Sequence, residues 1–151
     1  MKISKFSLIL TVAIILSSTP LAHADDVTVD RATRVEQIKS RWNPIFDQQY
    51  SQLIALATKA KLDSKVYKDY KFLLEDFLHV RSVIDAALTS STSDIEAANA
   101  YAEEETGEFM MSIPTFANQV GKIQIITCLK GKNSKKISGI TPKCPAGYKK
   151  K

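Results

Sequence analysis

The 151-residue chain carries 21 basic and 16 acidic side chains but only two histidines, His23 and His79. This length suits one ordinary domain, or a small domain with an appendage. So few histidines remove most histidine-based catalysis, and no glycine pattern of a nucleotide-binding loop is present.

The N-terminus has the three parts of a cleavable secretory signal, expected over residues 1–24. Lys2 and Lys5 give a positive start, and Phe6 to Leu16 is apolar apart from Ser7 and Thr11. That run is shorter than the ~20 residues a membrane-spanning helix needs. Ser17 to Pro20 end it, and Ala22-His23-Ala24 sets small residues at the two positions a signal peptidase reads. Cleavage after Ala24 would leave Asp25 first and His79 as the single histidine. No cysteine follows the run for a lipid anchor, and no later stretch is long and apolar enough to span a bilayer. A secreted or cell-surface protein is the expectation.

The remaining chain divides by charge. Residues 25–121 hold sixteen acidic and ten basic side chains, whereas residues 122–151 hold nine lysines and no acid. Composition shifts at the same place, since one glycine precedes Gly121 and both cysteines follow it. We read 25–121 as an acidic helical bundle and 122–151 as a basic module.

Within the acidic part, Thr28 to Lys61 keeps helical spacing through Val35, Ile38, Trp42, Ile45 or Phe46, Leu53, Leu56 and Ala60. Asn43-Pro44 predicts one kinked helix or two. The next segment has the clearest seam: Val66, Tyr70, Leu73, Phe77, Val80, Ile84 and Ala87 recur every three or four residues. Asp63 or Ser64 can cap its start, and the Ser/Thr cluster from Thr89 to Ser93 ends it. A third helix is expected from Ser93, which has capping-box spacing to Glu96. Its seam runs Ile95, Ala98, Ala102, Thr106, Phe109, Ile113, Phe116 and Val120. Gly107 and Pro114 interrupt the composition at about 1 and about 3 kcal/mol respectively, so a kink or two collinear pieces are predicted. No one helix can bury its stripe alone. The expected fold is mainly α, an up-down-up bundle of three long helices, although a dimeric coiled coil would also satisfy the third seam.

The basic module changes period. Ile123, Ile125, Thr127 and Leu129 alternate with Gln124, Ile126 and Cys128, which suits a strand with both faces partly covered. Gly131 to Ser134 predicts a turn, Lys135 to Ile140 a returning strand, and Thr141 to Tyr148 irregular chain. Such a hairpin is marginal by itself. Cys128 and Cys144 are the only cysteines, and an exported pair suits a disulfide worth about 3 kcal/mol. The alternatives are a redox pair, far from C-x-x-C spacing, or a two-thiolate metal site, which would need more ligands than the tail offers.

Residues Ile126-Thr127-Cys128-Leu129-Lys130-Gly131-Lys132, Lys135-Lys136-Ile137 and Pro142-Lys143-Cys144-Pro145-Ala146-Gly147-Tyr148-Lys149-Lys150 carry a resemblance. Together they resemble a recurring lysine-rich, two-cysteine tail of secreted and surface proteins of actinobacteria, where it follows otherwise unrelated domains. The likeness covers about the last 27 residues. It implies an exported modular protein and assigns nothing to the helices.

Enzymatic signals are weak. Glu75, Asp76 and His79 place acids a turn before a histidine, but carboxylate-bridged metal sites need two such motifs, and the seam points these three outward. Glu103, Glu104, Glu105 and Glu108 cluster without the loop of a dedicated calcium site. We expect no catalytic residue, no resident metal and no cofactor. Lys130, Lys132, Lys135, Lys136, Lys143, Lys149, Lys150 and Lys151 are the candidate anion-binding residues. Their expected ligand is an anionic cell-wall polymer or the envelope surface. Nucleic acid fits less well, because Tyr148 is the module's one aromatic side chain. The bundle is expected to bind a partner or to form a homo-oligomer, on the strength of Phe77, Ile84, Trp42 and Phe46. The competing reading is a soluble secreted bundle that binds a small ligand or metal, with lysines serving only solubility.

Overall fold

Three aspartates start three helices. The computed structural model describes residues 30–151; the signal-peptide reading of residues 1–24 lies outside them. Asp30 accepts from the amides of Ala32 and Thr33, Asp63 from Lys65 and Val66, and Asp94 from Glu96 and Ala97. Each carboxylate satisfies two N–H groups that a first turn leaves without a partner. The helices that follow are α1 (Arg31–Ala60), α2 (Ser64–Thr89) and α3 (Ile95–Gly121). The third cap corrects the expectation from Ser93. Asp94 is the stronger acceptor, which leaves Glu96 one position short of a capping box. Glu96 instead takes Arg34 of α1 in a bidentate pair at 2.6 and 2.8 Å.

Neither proline breaks its helix. α1 runs unbroken through Pro44, which settles the choice between one helix and two, and α3 runs through Pro114. Both prolines are exposed, as are Ser40 and Met110 four residues earlier. The carbonyl that each proline leaves without an amide partner therefore lies on the solvent side.

All three helices pack against one another in the predicted up-down-up bundle. The seams meet inside: Phe77 of α2 lies 5.8 Å from Phe46 of α1 and 4.9 Å from Phe109 of α3, centroid to centroid. Trp42, Phe46, Phe77 and Ile84, the residues that suggested self-assembly, are all buried in this chain's own core. Trp42 completes its polar requirement by donating Nε1–H to Asn99 Oδ1 at 2.8 Å. Gln49 fills the gap in the α1 stripe between Phe46 and Leu53. Its Nε2 donates to the Thr106 carbonyl at 2.8 Å, while its buried Oε1 has no partner among the described residues.

After α3 the chain forms β1 (Gln124–Lys130), β2 (Asn133–Gly139) and β3 (Lys149–Lys150). They make an antiparallel sheet in the order β2-β1-β3. Two expectations are corrected here. Asn133 and Ser134 pair with Lys130 and Leu129 rather than turning, because Gly131 takes φ +57° and lets two residues make the reversal. Lys149 and Lys150 return as a third strand beside Leu129 and Cys128, a pairing of two residues that leaves no periodic signal. The Cys128–Cys144 disulfide forms, with Cα atoms 5.6 Å apart.

Candidate functional site

The sheet is joined to the bundle through one carboxylate, one hydroxyl and two isoleucines. Asp63 caps α2 with Oδ1 and accepts the Ile140 amide with Oδ2 at 3.2 Å. Ser138 Oγ donates to the Leu62 carbonyl at 2.6 Å beside it. Ile123 and Ile140 close the lower end of the core. Glycine suits position 139, because a Cβ there would stand 3.1 Å from Asp63 Oδ2, tighter than most such contacts, at a φ of +151° that side chains rarely adopt.

The amides of Val66 and Ile140, in that order, hold the Asp63 carboxyl below the ordinary carboxylate range. A carboxyl lowered on folding stabilises the native state above its unfolded value of about 3.9. That contribution is lost as pH falls through the lowered value. Asp63→Ala should therefore lower Tm at neutral pH and speed hydrogen exchange at the Ile140 amide. The gap in Tm from the native sequence should narrow in acid. An Ile140 amide that exchanges at the native rate would show that Asp63 does not couple module to bundle.

The register sorts the lysines onto two faces, since paired residues on adjacent strands point the same way. Cys128 lies between Lys135 and Lys150, with Lys130 two residues along on the same face. That face is covered. Ile126 and Cys128 are buried, Cys144 is bridged to Cys128, and Lys135 Nζ sits 5.3 Å from the centre of the Tyr148 ring. The opposite face carries Ile125, Thr127 and Leu129, with Lys136 opposite Thr127 and Lys149 opposite Leu129. The Lys151 amide donates to the Thr127 carbonyl at 2.9 Å, which continues β3 alongside it. Lys132 occupies the hairpin turn, and Lys143 precedes Cys144.

All eight predicted anion-binding lysines are exposed, so the structure brings them to one module but not to one patch. Among the described residues every ion pair lies within the bundle, and none involves these lysines. Residues 122–151 contain no acid. The positive charge is thus unneutralised from within, and two outer strands place Lys136 and Lys151 about 10 Å apart across β1. Such spacing lets several ammonium groups meet phosphates or carboxylates at once.

Both faces of β1 are partly covered, as expected, but unequally, and Thr127 is half-buried on the more open one. Ile125 is 57% exposed and Leu129 37%. Sequence reading assigned these two no role. Their signal was parity: residues of odd number lie opposite the face that Cys128 and its bridge must cover.

The acidic helices do not assemble a second site. Glu75, Asp76 and His79 are exposed on α2, as their positions off the seam require. Glu103 pairs with Arg41 of α1 at 3.7 Å. Burial raises the Glu105 carboxyl, a hydrogen bond from Tyr101 pulls it back, and Glu108, Asp76 and Glu104 push it up again. Burial, with that same hydrogen bond, pushes the Tyr101 hydroxyl up to about 12. Among the described residues, no helix is long and apolar enough to cross a membrane, and no three acidic, histidine or cysteine side chains gather to hold a metal.

No family model, no curated protein and no solved structure matches this chain.

Proposed function

We propose that this is an exported, non-enzymatic interaction protein whose basic C-terminal module holds it at the anionic cell envelope. The helical bundle is then the part offered to a partner or a second copy. The observation that carries this reading is the set of eight exposed lysines, unneutralised among the described residues, on a small disulfide-closed sheet. A disulfide fits an extracytoplasmic setting, as does the signal-like N-terminus. The resemblance of the tail to a module of secreted and surface proteins agrees with both. Phe72, Met110 and Met111 are apolar and exposed on α2 and α3, so a partner would meet these rather than the buried seams.

The test is retention of the full chain on isolated cell envelopes across a salt series. If about six lysines engage a densely charged polyanion, binding should weaken about 10³-fold between 50 and 200 mM salt. Replacing the eight lysines by glutamine should abolish retention and leave the helical spectrum intact. Retention that ignores both salt and the substitutions would leave the lysines with solubility as their only role.

A further inference from the structure

The open face of the sheet is not simply basic. Ile125 and Leu129 stand two residues either side of Thr127 and form a short apolar stripe along β1. Lys136 borders it from β2, and Lys149 and Lys151 border it from the β3 side. The covered face presents no such stripe, because Ile126 and Cys128 on it are buried and Cys128 is bridged to Cys144.

We propose that this open face docks on the surface of an anionic lipid bilayer. The three lysines meet lipid phosphates while Ile125 and Leu129 enter the boundary between head groups and acyl chains. The inference rests on reading the module as anion-binding and names which anion. A wall polymer would use the lysines and leave the stripe in water. A bilayer uses both, since its surface is negative at the head groups and apolar just beneath them. Lysine stems can also lie along the apolar stripe while their charged ends reach outward.

The experiment uses the full chain and phosphatidylcholine vesicles with and without phosphatidylglycerol, with soluble polyphosphate as a lipid-free polyanion. The native chain should partition strongly only onto anionic vesicles. Lys136→Gln, Lys149→Gln and Lys151→Gln together should lower that partition about 10²-fold, roughly fivefold per lysine. Ile125→Ser with Leu129→Ser should lower it about tenfold and leave polyphosphate binding unchanged. Because both serines replace exposed residues, the fold should survive. Leu129→Trp gives an independent check: it should bind at least as tightly and shift its fluorescence to the blue on anionic vesicles.

Native binding by the serine pair, or an unshifted tryptophan on bound protein, would overturn the bilayer as occupant. Binding to polyphosphate without binding to vesicles would overturn it too, while sparing the anion-binding module. Binding to neither would remove that module's role and the inference with it. A dimer that forms natively and is lost in the serine pair would reassign the stripe to a second copy.

Discussion

Replacing Cys128 and Cys144 together by alanine is expected to destabilise the C-terminal sheet by about 3 kcal/mol and to leave the three helices folded. The bridge closes a loop with a sequence separation of 16, and limiting the open chain by that much accounts for the magnitude in the chain-entropy picture. The sheet has little else to rely on. β1 and β2 are seven residues each, β3 is two, and Ile126 and Cys128 are the large side chains buried on the covered face. A two-stranded hairpin of this kind is marginal in water. The bundle keeps its own core through Phe46, Phe77 and Phe109 and loses at most its lower contacts to Ile123 and Ile140. Amide exchange in β1 should rise about 100-fold or more, with little change in helical circular dichroism. Mild reduction of the native chain should do the same without creating a cavity at Cys128. β1 amides that stay as protected as in the native chain would show that pairing, not the bridge, holds the module. Envelope retention should weaken less steeply than exchange rises, since an opened tail still carries all its lysines.

Much of the fold was legible because each helix announces its inner face by spacing alone. Val66, Tyr70, Phe77, Val80 and Ile84 recur at helical intervals, and all are buried. The less legible features depend on partners far away in sequence. Gln49 breaks the α1 stripe, and only the Thr106 carbonyl 57 residues later explains a glutamine there. Pro44 and Pro114 left a kink or a break open, and both helices continue because each proline and the carbonyl it leaves unpaired lie on the solvent side, where water can replace the lost bond. In the module, composition located the lysines and the bridge, because neither depends on register. Which face of β1 lies open does depend on it. Cys128 fixes the covered side, so Ile125 and Leu129 follow once pairing and bridge are combined, and from neither separately. β3 was beyond reach, since two lysines after a proline-rich stretch look the same whether they pair or trail.

Phe77→Ala should cost about 4 kcal/mol, the scale of emptying a fully buried phenylalanine site. For a protein of this size that corresponds to a fall in Tm of about 10–20 °C. Total stabilities run to about 5–15 kcal/mol, so much of the folded population would be at risk. The reason lies in its neighbours. Phe77 is 0% exposed and meets Phe46 and Tyr50 of α1 and Phe109 of α3, so one ring ties α2 to both other helices. Phe46 and Phe109 are themselves buried on two different helices, so the site left between them does not open to water and the cavity adds to the cost. Phe72 supplies the control on the same helix. It is 74% exposed, and Phe72→Ala should change stability by no more than about 0.5 kcal/mol. Thermal unfolding of the two variants separates them by position alone, since residue type and helix are held constant. Equal shifts in Tm would mean that the seam through Phe77 is not the inner face of α2. A large loss confined to Phe77, with salt-dependent envelope retention unchanged in the fraction still folded, would show that the bundle supports the basic module without taking part in its binding.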